Sequence, residues 1–157
     1  MNGSNVASIN DCKTDLFRIK VFIDSDPINS LCPYLISYSV IRACGIIENC
    51  VKKIFFDYLS NGAIQETIKY LEKQIIDSSW NPSCGSIQTM LDTINPSWSQ
   101  TFQESIKGTK EKGDLSSLIN LRNDFAHGQQ ITATIANIID YFDGGCKIIT
   151  ILESIVK

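Results

Sequence analysis

Histidine is almost missing from this chain, with a single residue, His127, among 157. The six cysteines, at positions 12, 32, 44, 50, 84 and 146, include no Cys-x-x-Cys pair. Protein-bound zinc needs clustered thiolates and imidazoles, so neither a metal nor a cofactor is expected. Gly-rich phosphate loops, nucleophile elbows and carboxylate metal clusters are also absent, which removes sequence support for a kinase, a hydrolase of the elbow type or a two-metal nuclease. No apolar run approaches the roughly 20 residues that span a bilayer. The first residues lack a basic and then apolar leader pattern. A cytoplasmic protein with no membrane partner is expected. Positive charge is scarce too: the formal net charge of −3 argues against a broad basic surface that clamps nucleic acid. A small cleft needs only a few local cations, so the charge does not exclude a phosphate-bearing ligand held in one.

With 43% hydrophobic and 20% charged residues, the composition is that of a folded globular chain. Residues 1–14 are polar, rich in Ser and Asn and without periodicity, and read as a flexible N-terminus ahead of a single domain over 15–157. Residues 16–23 fit a short helix or a strand. From Leu31 to Leu59, Ile36, Val40, Cys44, Ile47, Val51, Ile54 or Phe55, and Tyr58 make one stripe at the helical period. Pro33 suits its first turn and Ser60-Asn61-Gly62 its end. Ile64, Ile68, Leu71 and Ile75 mark a second amphipathic helix.

Residues 78–113 read as an inserted helical and loop region. It has a modest helix over 86–94, an Asn95-Pro96 cap before another helix with Trp98, Phe102 and Ile106, and a flexible loop with three lysines over 107–113. After Gly128, Ile135, Ile138, Ile139, Phe142, Cys146, Ile149, Leu152 and Val156 keep one stripe in phase through Gly144-Gly145, which predicts a single helix with a weak point there. Cys44, Cys50 and Cys146 lie inside these patterns and read as reduced core residues. Tyr34, Tyr38, Tyr58 and Tyr70 fall at helical spacing and read as packing residues. Trp80 and Trp98 read as core filling. The fold class is all-α, an up-down bundle of about five to seven helices.

The stretch Leu121-Arg122-Asn123-Asp124-Phe125-Ala126-His127-Gly128 concentrates the chemistry. Gly113-Asp114 reads as a break and an N-cap, so a helix is expected to start near Leu115. Gly128 suits the left-handed position that closes a helix, placing His127 in the last turn. On an ideal helix Arg122 and His127 point about 140° apart, whereas Asn123 and His127 are separated by about 40°. Arginine and histidine can converge if the helix loosens, or if two copies meet across a symmetric interface.

Arg122-Asn123-(three residues)-His127 resembles the motif of HEPN domains, the higher eukaryote and prokaryote nucleotide-binding family of small helical proteins. A small residue before the histidine and a glycine after it fit that family's usual ending, and the order of helices agrees over roughly residues 30–157. Many members are metal-independent ribonucleases, often toxins or phage-defence effectors. The resemblance therefore implies RNA as substrate, a homodimer with motifs facing across the interface, and an antitoxin or defence-system partner. It also implies a role for Glu48, because the resembling domains carry an acidic residue well inside the first long helix. A carboxylate beside an apolar stripe needs a partner, and Arg122 is the candidate. One position departs from the toxins paired with a nucleotidyltransferase antitoxin: where a tyrosine commonly follows two residues after the histidine, this chain has Gln129, which speaks against neutralisation by tyrosine modification there.

Metal-free RNA cleavage needs a base for the ribose 2′-OH, donors for the charged phosphorane and an acid for the leaving 5′-oxygen. His127 has the side chain to shuttle that proton. Arg122 offers a planar fork for phosphate oxygens. Asn123 can hydrogen-bond His127 or contact the phosphate, and Asp124 is a supporting candidate. One histidine cannot easily serve as both acid and base, but two chains supply two. The expected products are 2′,3′-cyclic phosphate and 5′-hydroxyl ends. The alternative is a HEPN-like module without catalysis, kept for dimerisation or for binding a partner or nucleotide.

Overall fold

The computed structural model describes residues 3–157. It consists of α1 (Gly3–Ser25), α2 (Cys32–Ser60), α3 (Gln65–Leu71), α4 (Cys84–Ile94), α5 (Pro96–Ile106), α6 (Lys110–Ala126) and α7 (Ile135–Ile155), with no strand among the described residues. The all-α expectation holds.

Three sets of contacts orient the main bundle. Arg42 pairs with Asp15 at 3.5 Å and Asn5 Nδ2 donates to Cys50 O at 3.4 Å, so α1 and α2 run antiparallel. Cys44 Sγ donates to Leu118 O, while Ile47 and Leu115 both close on Gly145, which sets α2 antiparallel to α6. Lys147 pairs with Glu111 at 3.0 Å and Gly144 lies against Asp114, which sets α6 antiparallel to α7. The C-terminal half of α1, the N-terminal half of α2 and the C-terminal end of α6 therefore share one end of the bundle. The core between them includes Leu16, Ile47, Phe55, Leu115, Leu118, Phe142 and Leu152.

Several local expectations change. The N-terminus is helical from Gly3, where a flexible segment over 1–14 was expected; residues 1 and 2 lie outside the described residues. Asn5, Ile9, Cys12 and Leu16 are the buried positions there, spaced four, three and four apart, and two of the four are not strongly apolar. The segment 16–23 is helix. Helix α6 begins at Lys110 and not near Leu115, since Thr109 accepts from Lys112 N and the helix runs through Gly113. Lys110 and Lys112 are thus helical, and Asp114 is a buried residue inside the helix, not its cap.

The expected helix over 64–75 opens into a π-helical turn, Glu72–Ile76, after α3. Lys52, only 6% exposed, sits opposite: its ammonium pairs with Glu48 at 2.6 Å and donates to the carbonyls of Ile76 and Ser78. The Asn95-Pro96 start of α5 is as expected, with Asn95 Oδ1 accepting from Ser97 N. Trp98 stacks edge-on against Tyr58, and both tryptophans pack on the core. Tyr34, Tyr38, Tyr58 and Tyr70, expected to pack, are each at least 40% exposed. On α2 the buried stripe passes through Val40, Cys44, Ile47 and Val51, and Tyr34 and Tyr38 belong to a different line along the helix.

Helix α7 is continuous through Gly144 and Gly145, and both are buried. They are points of close approach. A Cβ built on Gly144 would lie 2.4 Å from Asp114 Cβ, an atom anchored to the backbone, whereas one on Gly145 meets the tip of Ile47, which can swing. Glycine to alanine inside a helix ordinarily gains roughly 0.5–1 kcal/mol. Here Gly144→Ala is expected to lose about 1–3 kcal/mol, the range for overpacking. Gly145→Ala should lose less. Urea unfolding of the two variants checks this order.

All six cysteines are free thiols. Burial pushes Cys12 and Cys50 up to about 11 and Cys44 and Cys146 up to about 12. The native state thus keeps protons that the unfolded chain releases above about pH 9. Stability from these thiols is complete below that pH and falls as pH rises through 11–12, by about 1.4 kcal/mol per pH unit for each thiol. A urea midpoint at about pH 10 well below that at about pH 8 is the expected result.

Candidate active site at the end of α6

Helix α6 is held by its inner face, where Asp114, Leu115, Leu118 and Ile119 are buried. Arg122 lies one turn beyond Leu118 and is half-buried, so its stem packs while its head reaches the edge of the bundle. Its Nη1 donates to Asn123 Oδ1 at 3.4 Å. The helix then ends abruptly. Gly128 takes φ +76°, its N–H donates to Phe125 O at 3.0 Å, and the Gln129 N–H reaches back to Asp124 O at 2.9 Å. This pair of bonds is a Schellman closure, and it depends on the glycine. His127 is the capping residue, with its own N–H bonded to the Asn123 and Asp124 carbonyls.

The main chain of His127 is fixed, yet its ring is exposed and has no hydrogen-bond partner among the described residues. It does not satisfy a carbonyl at the helix end. The Asn123 side chain bonds Arg122 and not the imidazole. The half-buried side chain of Asp124 has no partner among the described residues. Arg122 and Asn123 are thus coupled, and His127 stands free one turn on.

Glu48 does not pair with Arg122, contrary to expectation. Both charges influence the Cys44 thiol, but from opposite sides along the helices. Glu48 lies one turn beyond Cys44, Arg122 one turn beyond Leu118, and in antiparallel helices those turns, each about 5.4 Å, lead apart. Lys52, four residues on, is the nearer cation, and Glu48 Oε1 also accepts from Trp80 N at 3.2 Å. Glu48 fixes the segment before α4.

Across these helices and this motif, the HEPN_RiboL-PSP family model, described as RiboL-PSP-HEPN, matches residues 6–157. The chain belongs to the RiboL-PSP-HEPN family. No curated protein and no solved structure matches it. The HEPN match begins inside α1, ahead of the resemblance over residues 30–157, so the N-terminal helix is part of the family fold.

Around this HEPN motif the surface is notable for what it leaves open. At the same end of the bundle, Phe17, Val21, Leu31, Tyr34, Tyr38, Ile41 and, on α6 itself, Phe125 are exposed. The sequence did not single them out as a group; the stripe 34, 38, 41 on α2, next to the motif only once α2 and α6 are known to be antiparallel, was the available signal. A larger groove of about 650 Å³ between α1, α6 and α7 holds Lys13, Lys110 and Lys147, but each is paired with a carboxylate and none belongs to the motif. Among the described residues no cluster of His, Cys, Asp or Glu suits a metal, and no helix is long and apolar enough to cross a membrane.

Proposed function

We propose that this HEPN protein is a metal-independent endoribonuclease, active as a homodimer. The observation that carries the reading is the combination at the end of α6: a ring with both nitrogens open, on a main chain locked by the Schellman closure, beside a guanidinium oriented by Asn123. A rigid backbone with a free side chain suits a group that must meet substrate and exchange a proton with it. Arg122 would bind the phosphate and the charge that develops on it. His127 of one copy takes the 2′-OH proton as that oxygen attacks phosphorus, and His127 of the other gives a proton to the departing 5′-oxygen. The RNA then ends in a 2′,3′-cyclic phosphate and a 5′-hydroxyl. Asp124 is a supporting group for this arrangement.

The second copy would dock on the exposed aromatic and aliphatic side chains around the motif, since clustered apolar exposure of this kind marks an interaction site. A symmetric contact there brings the two motifs together. Toxin or phage-defence action in the cytoplasm, controlled by a partner protein, goes with the same reading. Purified protein incubated with RNA in EDTA should release fragments with cyclic phosphate ends, and sedimentation should give twice the chain mass. Folded protein that leaves RNA intact would instead favour the alternative, a HEPN module that binds partners or nucleotides without cutting.

A further inference from the structure

A groove of about 360 Å³ runs along the outer side of α6, between it and the start of α4. Its floor is Lys112, Ser116, Asn120 and Asn123, spaced four, four and three residues apart, so they form one line along the helix. Continuing that line by four residues reaches His127. Asn81, Ser83 and Gly85 form the opposite wall. Helix α6 packs chiefly on α7 and α2 and touches α4 only at its edge, which leaves the trough open.

The lining is distinctive in its chemistry. Lys112 has no carboxylate partner among the described residues, unlike the three paired lysines of the larger groove, and its charge is felt by the Cys84 thiol at the head of α4. The amides of Asn81 and Asn120 make no side-chain hydrogen bond among the described residues, and Asn81 is half-buried. One free cation, two free amides and the Ser116 hydroxyl match one phosphate and one base, while the Ser83 hydroxyl is committed to Ser86 at the start of α4. Amides present the donors and acceptors that base edges require. Duplex RNA is read across a broad, shallow surface, whereas this is a walled trough of the size that takes a single small ligand.

We propose that this groove carries a single RNA strand beside the cut, with Lys112 on a backbone phosphate and Asn120 and Asn81 on an unstacked base. The proposal rests on the ribonuclease reading of His127 for its direction, and makes single-stranded RNA the substrate class. Its test is binding, kept separate from cleavage. A short single-stranded RNA with 2′-O-methyl groups throughout, which has no attacking 2′-OH, is followed by fluorescence anisotropy with the full chain.

Lys112→Ala and Asn120→Ala are each expected to weaken binding about tenfold, and Lys112→Ala alone to lower the salt slope by about 0.7. Lys69→Ala, on α3, should change neither. The same RNA annealed to its complement should bind less tightly. Both altered side chains are exposed, and melting curves matching wild type show that the fold is kept. Equal affinity of wild type and both groove variants overturns the proposal, as does a wild type that fails to bind the single strand. If the groove variants weaken binding as expected but wild type cuts no unmodified RNA, the groove stands and the ribonuclease reading falls.

Discussion

On the proposed ribonuclease reading, His127→Ala is expected to leave α6 folded and to lower RNA cleavage by about 10²–10⁴-fold, the usual yield of a positioned acid or base. Folding survives because every bond that closes the helix is a main-chain bond to Asn123, Asp124 or Phe125, and the glycine that makes the closure possible is untouched. The loss should appear in kcat, since in that reading the ring would act on a proton in flight and contribute little to holding RNA. A mixing experiment separates one histidine per site from two. If each cut needs the imidazoles of both copies, activity at constant total protein falls with the square of the wild-type fraction as His127→Ala chain is added. A linear fall means that each copy works alone. Arg122→Lys keeps the charge but loses the planar fork and should also cut poorly.

Lys52→Met has the largest expected effect on stability. The methionine keeps the apolar stem but leaves Glu48 without its cation and the Ile76 and Ser78 carbonyls without a donor. Breaking a buried pair from one side costs about 3–5 kcal/mol. Glu48 retains some access to water, so about 2–4 kcal/mol is expected. For a chain of this size that lowers the melting temperature by roughly 5–15 °C. Replacing both partners, as in Glu48→Leu with Lys52→Met, should recover part of the loss because no charge is left stranded. A double variant no more stable than Lys52→Met alone would argue that the two carbonyls, and not the carboxylate, set the cost.

The order of the helices was legible from periodicity, since α2, α5 and α7 carry their apolar residues in long uninterrupted stripes and Asn95-Pro96 and Gly128 punctuate them with unambiguous chemistry. The first helix was hidden because its inner stripe includes Asn5 and Cys12, which add little to a hydrophobic pattern. The start of α6 was hidden because Gly113 looks like a break, while tertiary packing of Asp114 against Gly144 carries the helix through it. At the site, the motif residues were visible as a motif. The partner of Glu48 was within local reach, since Lys52 stands four residues on along the same helix; that Arg122 lies away from it was not legible, because the direction in which two helices cross is a long-range property that no local pattern encodes. The same holds for the groove, whose two walls come from segments some thirty residues apart.

The thiols packed into the core bear on the way back from the unfolded state. In the native protein five of the six are buried, but an unfolded chain presents all six to solvent together, with their ordinary acidity restored. In an oxidising buffer, a chain held unfolded would acquire random cross-links, which form over seconds to hours, and none of them belongs to the native pattern. Denaturation should therefore be reversible in the presence of a reductant and become irreversible without one.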